Sequence, residues 1–449
     1  MKKRARRVAE LAQRIGSGTE DAPELAEEFR ERFTELPPEQ RLQLFAWLAG
    51  GFEVGKSPIE APIAAVIAAS EDDPEGWNRS VRELRRALSS PRHRLFEALI
   101  DTEGGMQFVL ELRAQVLEAQ RGGADGLEAL EEDIAHLLDR WCQHGLLYLE
   151  EIDLGSSYRT VRFLKERELV HPMLSLDEMG RRLGEDRLCY ALYHAAMPEE
   201  PVIFIEVALS RGLLRSIHEV IGAKDDERAS VRSPDTAIFY SINNTQNGLA
   251  GLGLGQVLIA RVTEALRSKH PELETFATLS PIPGFWRHYL QPILEGRGED
   301  FQLDRGAIVE LLSARARAAV CARQREAGGE GDDPASALAA VLAAPDWIAD
   351  PKLRKLLRRP LIEAAHTYLT AETDARGKPL NPVAGFHLGN GATVARANIN
   401  FAANASPRGL DESCGLMVNY VYSDTNLARI GRAFRSLLPW GRSPRIPPR

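Results

Sequence analysis

The chain has 449 residues, of which 44% are hydrophobic and 27% are charged, and its formal net charge at pH 7 is −8. This length favours two or three domains, and the composition is that of a globular protein and not of a disordered one. The negative charge argues against nucleic acid as the main partner, because phosphate neutralisation needs a concentrated basic face.

The cysteines and the first residues bear on the cellular compartment. The widely separated cysteines form neither a CxxC metal pattern nor a disulfide framework; they are Cys142, Cys189, Cys321 and Cys414. The basic start, MKKRARR, is followed by no apolar segment, which favours a solvated helix over an organelle presequence or a secretory signal. No apolar run approaches the ~20 residues that span a bilayer. We therefore expect a cytoplasmic protein that does not enter membranes.

The first third of the chain has helical patterns throughout. Segments such as ELAEEFRERFTEL and GLEALEEDIAHLLDRWCQ carry apolar residues three and four positions apart. Asp-Pro, Ser-Pro and Gly-Gly junctions separate these segments. We predict that residues 1–142 form an all-helical domain. It shows no cluster of catalytic residues, so a packing or oligomerisation role is favoured.

Strand patterns begin at Leu146–Leu154. The runs Cys189–Met197 and Pro201–Ser210 read as neighbouring strands of a hairpin. Ala237–Ile242 is a further strand, which is followed by a glycine-rich loop, a helix and a strand at Leu273–Leu279. This succession predicts an α+β protein with a mixed sheet behind the helical domain.

The glycine-rich loop contains Gly248, Gly251, Gly253 and Gly255. Glycine allows a ligand to approach the backbone closely, and a helix N-terminus offers unpaired N–H groups and a partial positive charge. Together these features predict a phosphate-binding loop. The GxxxxGK[ST] motif is absent and the spacing differs from GxGxxG. A linker or a tight turn is the alternative, which the position between a strand and a patterned helix disfavours.

The remaining sequence alternates between helical and strand-like patterns. Helical segments follow Phe285, interrupted by the acidic, glycine-rich loop Gly328–Pro334. Val383–Phe401 reads as strand-like sequence broken by glycines, and Met417–Ser423 as a closing strand or loop. A basic run in these helical segments fits a solvated helix face better than contacts to coenzyme A; its residues are Arg354, Lys355, Arg358 and Arg359. Arg376–Pro379 is a similar weak candidate.

Four segments resemble the signature runs of the malonyl-CoA decarboxylase family, in the same order and at similar separations. They are FYSINNTQNGLAGLGLG, LSPIPGF, GFHLGNGA and NYVYS, and the resemblance covers about the last two thirds of the chain. It implies a GNAT-like catalytic domain, here residues 143–449, in which the loop after the fourth strand binds the pyrophosphate of coenzyme A. It also implies a homo-oligomer, either a dimer or a tetramer.

The resemblance also implies the site residues. The family's catalytic pair falls on Ser280, which accepts a proton or positions the carboxylate, and on His387, which donates a proton. On residue type alone Ser280 would be a turn residue and His387 a satisfied loop histidine. Ser241 and Tyr420 are expected to hydrogen-bond this pair or the substrate. The expected coenzyme cradle consists of Ala250, Gly251, Leu252, Gly253, Leu254, Gly255 and Gln256.

The implied reaction converts malonyl-CoA to acetyl-CoA and carbon dioxide. The thioester carbonyl accepts the electrons, so no metal or separate cofactor is expected, and coenzyme A enters as part of the substrate. A histidine that titrates near neutrality would protonate the enolate. The family pattern has an acid where this chain has Gly253; if that acid orients the histidine, Asp424 or Glu206 would have to replace it.

Two other functions use the same coenzyme loop. A GNAT-like acyltransferase would move an acyl group from coenzyme A to an amine. A catalytically silent acyl-CoA sensor would bind the thioester and a partner protein, and the glycine at position 253 favours this reading. Retention of both Ser280 and His387 favours the decarboxylase.

Overall fold

A computed structural model of the chain describes residues 1–52, 56–69, 73–88, 90–143, 146–173, 175–184, 186–221, 233–298, 300–329, 332–374, 377–423 and 425–427. The first part is helical. Its helices are α1 (Lys3–Gly16), α2 (Ala22–Thr34), α3 (Pro38–Gly50), α4 (Lys56–Ala68), α5 (Pro74–Ala87), α6 (Pro91–Ile100), α7 (Gly105–Arg121) and α8 (Glu128–Gln143). The predicted helical region is confirmed, while the limits 1–142 and 143–449 stay predictions.

The Asp-Pro and Ser-Pro junctions are helix starts. The Asp73 carboxylate accepts a hydrogen bond from the Gly76 N–H at 3.0 Å, and the Ser90 hydroxyl accepts one from the Arg92 N–H at 3.2 Å. Proline occupies the first position of both α5 and α6, where its fixed φ suits a helix and its missing N–H costs nothing. These residues therefore determine where the two helices begin.

Ten strands form two sheets among the described residues. They are β1 (Leu147–Ile152), β2 (Arg187–His194), β3 (Ile203–Ser210), β4 (Thr236–Asn244), β5 (Thr275–Thr278), β6 (Ser280–Pro281), β7 (Ala392–Thr393), β8 (Ile399–Asn400), β9 (Met417–Val418) and β10 (Val421–Tyr422). The larger sheet has the order β1-β2-β3-β4-β5-β10-β7, and the smaller has the order β6-β9-β8. The pair β4–β5 is parallel and its neighbours are antiparallel. The predicted α+β class with a mixed sheet is confirmed.

The helices that follow β1 are α9 (Tyr158–Arg167), α10 (Leu176–Arg181), α11 (Ile217–Ile221) and α12 (Leu254–Lys269). The glycine-rich loop and α12 connect the parallel strands β4 and β5, as the sequence and the GNAT-like resemblance predict. Leu258, Val262 and Leu266 of α12 are fully buried. Their helical spacing places one apolar face of α12 in the core.

The pocket described below forms where β4 and the chain after β5 separate. The parallel pairing ends at Phe239 opposite Thr278. Beyond this point β4 continues in the larger sheet with Ser241, whereas Ser280 pairs with Val418 of the smaller sheet. The two serines therefore lie on diverging backbones that enclose a cleft.

The last helices are α13 (Gln291–Leu294), α14 (Arg305–Leu311), α15 (Ala314–Glu326), α16 (Pro334–Ala343), α17 (Pro351–Thr370), α18 (Pro382–Gly389) and α19 (Pro407–Ser413). The strand-like reading of Val383–Phe401 is wrong for its first part, which is α18. The Asn381 side chain accepts a hydrogen bond from the Ala384 N–H at 2.8 Å, and Pro382 is the first helical residue. This capping outweighs the apolar run.

The helical region and the sheet region share one core. The largest buried apolar cluster includes Leu110 of α7 and Leu249 of the glycine-rich loop. A β-carbon added at Gly248 would lie 2.1 Å from the backbone oxygen of Leu110, so glycine is required at this close approach. The helical region thus packs directly on the loop. None of the described helices has the length and apolar character needed to cross a membrane.

Candidate active site

A pocket of about 700 Å³ lies between β4, the start of α12 and α18. Its walls contain Ser241, Ser280 and His387, together with most of the predicted coenzyme cradle. The cradle residues that line it are Gly251, Leu252, Gly253, Leu254, Gly255 and Gln256. Two residues predicted for the site, Ala250 and Tyr420, lie outside this lining. The structure therefore brings together residues from three of the four signature segments.

The glycine-rich loop directs the N-terminus of α12 towards the pocket. Gly251 has φ of +80° and Gly253, which precedes the helix, has φ of +68°, a left-handed conformation that glycine adopts without a side-chain clash. A β-carbon at Gly255 would lie 2.5 Å from the Phe386 ring, so its absence lets α12 approach α18. Leu254 and Gln256 of the first turn also line the pocket. This geometry suits an anionic group.

Arg113 of α7 holds the other side of the loop. Its Nη1 donates hydrogen bonds to the carbonyl oxygens of Gly248 at 2.5 Å and Ala250 at 2.8 Å. Its remaining nitrogens bind the Glu131 carboxylate of α8. The sequence of the helical region gives no sign of this role, because an arginine in an amphipathic helix resembles a surface charge. In the structure this region positions the predicted coenzyme loop, and Ala250 contributes through a carbonyl that binds Arg113.

Ser280 and His387 are 107 residues apart in the sequence and meet in the pocket. The Nε2 atom of His387 lies 3.4 Å from the Ser280 hydroxyl, which donates a hydrogen bond to Thr278 Oγ1 at 2.9 Å. The Nδ1 atom of His387 lies 2.8 Å from the hydroxyl of Tyr422. His387 is therefore held between a serine that lines the pocket and a buried tyrosine.

Burial determines the protonation state of this group. It lowers the pKa of His387 to about 3 and raises the pKa of Tyr422 above its usual range, because desolvation disfavours both charged forms. The expectation that His387 titrates near neutrality is wrong for this reason. Tyr422 keeps its proton and, among the described residues, finds its hydrogen-bond partner in His387. Its O–H donates to Nδ1, which leaves the ring proton on Nε2, facing Ser280.

Tyr420 contacts His387 through its ring, and its predicted hydrogen bond to the substrate stays a prediction. Its ring stacks on His387 with centroids 4.6 Å apart and an interplanar angle of 27°. Its hydroxyl has no hydrogen-bond partner among the described residues. The tyrosine that bonds to His387 is Tyr422, two positions later in the same NYVYS segment. The motif contained both rings, and only the tertiary structure distinguishes the stacking partner from the hydrogen-bonding one.

Ser241 lines the pocket but has buried partners of its own. Its hydroxyl donates to the Glu168 carboxylate at 2.6 Å, and the side-chain nitrogen of Asn243 donates to Ser241 at 2.7 Å. Its recorded bonds therefore join it to Glu168 and Asn243, and the predicted bond to the catalytic pair is not among those the described residues make. Glu168 had no sequence signal, because it follows a short helix of ordinary amphipathic pattern.

Glu206 does not replace the missing acid. Its carboxylate lies 3.5 Å from the guanidinium of Arg182, and burial together with the Glu168 charge raises the pKa of Glu206 well above its usual range. His387 is instead oriented by a phenol, so the expectation of a carboxylate partner at Glu206 is wrong. The other expected substitute, Asp424, lies outside the described residues.

Two family models match the chain. The model of the malonyl-CoA decarboxylase C-terminal domain matches residues 145–437, and that of the N-terminal domain matches residues 52–142. The chain belongs to the malonyl-CoA decarboxylase family. It is 35% identical over 398 residues to the mitochondrial malonyl-CoA decarboxylase of Anser anser anser, covering 85% of this chain and 74% of that protein. The family prediction is confirmed.

A second animal relative and a solved structure agree with this assignment. The mitochondrial malonyl-CoA decarboxylase of Rattus norvegicus is 34% identical over 393 residues, covering 85% of this chain and 76% of the relative. The crystal structure of malonyl-CoA decarboxylase from Rhodopseudomonas palustris superposes with a TM-score of 0.75 at 29% identity, covering 96% of each chain. The arrangement of helical and sheet regions is thus shared with that solved structure.

Charge is sparse in the pocket of this family member. Among the described residues that line it, Lys378 is the one with a formal charge at neutral pH. The four basic residues at 354, 355, 358 and 359 are exposed and outside the lining, as a solvated helix face predicts. Within the described ranges, no group of three or more histidine, cysteine or acidic side chains is placed to hold a metal ion.

Proposed function

We propose that this chain converts malonyl-CoA to acetyl-CoA and carbon dioxide in the pocket where Ser280 and His387 meet. The observation that carries the proposal is the 3.4 Å contact between Ser280 and His387, in a pocket that the N-terminus of α12 also lines. Membership of the malonyl-CoA decarboxylase family supports the same reaction. In this arrangement one end of the pocket suits the thioester and the other suits the coenzyme phosphates.

The first chemical step is cleavage of the bond between the α-carbon and the carboxylate. Its electron pair forms the carbon–carbon double bond of an enolate, and the carbonyl electrons move onto the thioester oxygen. Ser280 positions the leaving carboxylate out of the carbonyl plane, which aligns the breaking bond with the carbonyl π system. The expectation that no separate cofactor is needed remains part of the proposal, because the thioester itself accepts the electrons.

The second step is protonation of the α-carbon. His387 gives its Nε2 proton to that carbon while Nδ1 takes the proton of Tyr422, whose phenol is 2.8 Å away. The relay keeps the buried imidazole neutral throughout and leaves a tyrosinate, which a thioester enolate is basic enough to form. Tyr422 regains a proton from water after the product leaves. One proton is consumed for each carbon dioxide released, as the overall reaction requires.

Coenzyme A occupies the rest of the pocket in this proposal. Its diphosphate lies at the N-terminus of α12, where backbone N–H groups and the helix dipole stabilise negative charge. Lys378 lines the same pocket and is exposed, so its ammonium can reach a phosphate without first losing its hydration. We therefore expect Lys378 to recognise the coenzyme and not the malonyl group.

Replacement of Lys378 by methionine is expected to raise KM for malonyl-CoA about tenfold, the size of one charge-assisted phosphate contact. Malonyl-pantetheine, which lacks the coenzyme phosphates, should keep its KM in the variant. Lys378→Arg should retain most of the affinity, and Lys352→Met, at an exposed lysine of α17, serves as the matched control. Equal losses for both substrates would contradict the assignment of Lys378 to the phosphates.

The reaction itself is tested with malonyl-CoA labelled at the free carboxylate. The wild-type protein is expected to release labelled carbon dioxide and form acetyl-CoA, and Ser280→Ala should lower kcat about 10²-fold. An acyl adduct formed only with an added amine would instead indicate acyl transfer. Tight coenzyme A binding without product would indicate a sensor. Either result would overturn the proposed decarboxylation.

We further propose a homo-oligomer, a dimer or a tetramer, that works in the cytoplasm. The family resemblance supports the homo-oligomer, and light scattering of the purified chain measures its subunit number. All four cysteines are buried and unpaired, which supports a reducing compartment. Both animal relatives are named as mitochondrial proteins. Fractionation of the source cells therefore tests the proposed cytoplasmic location of this chain.

A further inference from the structure

Asn390 lies three residues after His387, at the carboxyl end of α18, and lines the same pocket. The residue is only 4% exposed, and within the described part of the chain its side-chain nitrogen Nδ2 has no hydrogen-bond partner. Its backbone is fixed, because its N–H donates to the carbonyl oxygens of Phe386 and His387 at 3.1 and 3.2 Å. A buried donor without a partner destabilises the folded protein, and in a pocket it indicates a ligand that supplies the acceptor.

The proposed decarboxylation, on which this inference rests, creates such an acceptor. As the bond to the carboxylate breaks, negative charge develops on the thioester oxygen. A hydrogen bond to that oxygen is stronger in the transition state than in the bound substrate, so it accelerates the reaction. A hydrogen bond to the leaving carboxylate would instead stabilise the bound substrate and be lost as carbon dioxide departs.

We propose that Asn390 is a further catalytic residue, whose side-chain amide donates a hydrogen bond to the thioester oxygen as that oxygen becomes an enolate. Asn390 directly follows α18 and its N–H bonds to the His387 carbonyl oxygen, so the two residues lie within one turn of each other, and both line the pocket. The α-carbon, which receives the proton, is bonded to the carbon that bears the thioester oxygen. The atoms on which His387 and Asn390 act are therefore close together. His387 delivers the proton and Asn390 stabilises the charge.

The test compares Asn390→Ala and Asn390→Asp with the wild type. The aspartate keeps the shape of the side chain but has no amide donor. Both variants are expected to lose about 10²–10³-fold in kcat, the loss typical of one oxyanion donor, while KM changes less than about threefold. The unfolding temperature of Asn390→Ala should be no lower than that of the wild type, because the amide donor that it removes has no partner in the protein.

A second measurement follows formation of the same enolate from the product, acetyl-CoA, by deuterium exchange. Acetyl-CoA in deuterium oxide is expected to gain deuterium in its methyl group with the wild type, and the rate should fall in both variants by about the factor seen in kcat. Asn78→Ala, at an exposed asparagine of α5, should change none of these quantities. This control separates the loss of the donor in the pocket from the general effect of removing an asparagine.

The outcomes separate the possible roles of Asn390. A raised KM with unchanged kcat would assign it to substrate binding, and a lowered unfolding temperature with a proportional loss of activity would make it a structural residue; both overturn the inference. If the wild-type protein is active and both variants keep kcat within about threefold, only this inference fails. If the wild type releases no carbon dioxide, the proposed function fails and the inference fails with it.

Discussion

Replacement of His387 by alanine is expected to lower kcat for malonyl-CoA at least about 10²-fold, because it removes the group that protonates the enolate in the proposed mechanism. The imidazole is buried between Ser280 and Tyr422, so a water molecule cannot easily replace it as the proton donor. Single-turnover measurements with labelled malonyl-CoA follow the chemical step. His218→Ala, at an exposed histidine of α11, is the matched control and should leave kcat unchanged. A His387→Ala enzyme with normal kcat would remove this residue from the mechanism.

The pH dependence of kcat distinguishes the relay from an ordinary histidine acid. The pKa of His387 is lowered to about 3, so the imidazole is neutral across the range in which the protein is assayed. A neutral donor keeps its proton as the pH rises through 6 and 7, and kcat should stay level there. An imidazolium donor with a pKa near 6.5 would lose about tenfold in kcat for each further pH unit. Such a decline would contradict the relay through Tyr422.

The features of this site that could be predicted are those that depend on residues close together in the sequence. The strand, glycine-rich loop and helix around Ala237–Ile242 were predictable because apolar spacing and glycines act within a few residues. The pairing of Ser280 with His387 came from motifs, since no periodicity relates residues 107 positions apart. The apolar run around His387 nevertheless reads as a strand, and the Asn381-Pro382 helix start is the local signal for the helix that the structure contains.

The features that could not be predicted depend on tertiary contacts. The choice between Tyr420 and Tyr422 depends on which backbone enters the larger sheet, and the neutral state of His387 depends on the burial of its ring. Burial also explains why a phenol suffices where a carboxylate was expected: a neutral imidazole needs a hydrogen-bond partner but no opposite charge. The contact between Ser280 and His387 is therefore present although position 253 is a glycine.

The contact between the helical region and the glycine-rich loop leads to the second large expected effect. Arg113→Met removes the hydrogen bonds to the Gly248 and Ala250 carbonyl oxygens and leaves Glu131 without its cation. We expect the free energy of unfolding to fall by about 2 kcal/mol, which is below the 3–5 kcal/mol typical of breaking a fully buried pair. The expected loss is smaller because the Glu131 side chain is 20% exposed. Chemical denaturation of the variant measures this loss.

The same change is expected to raise KM for malonyl-CoA at least about tenfold and to leave kcat within about threefold, because Arg113 holds the loop and touches no reacting atom. The double variant Arg113→Met, Glu131→Gln removes the unpaired carboxylate, so it should recover stability without recovering KM. Arg121→Met, at an exposed arginine of the same helix, controls for loss of charge. If KM recovered together with stability, the loop would keep its conformation without Arg113, which would contradict this prediction. If only stability recovered, the helical region would act in coenzyme binding through the geometry that it imposes on the loop.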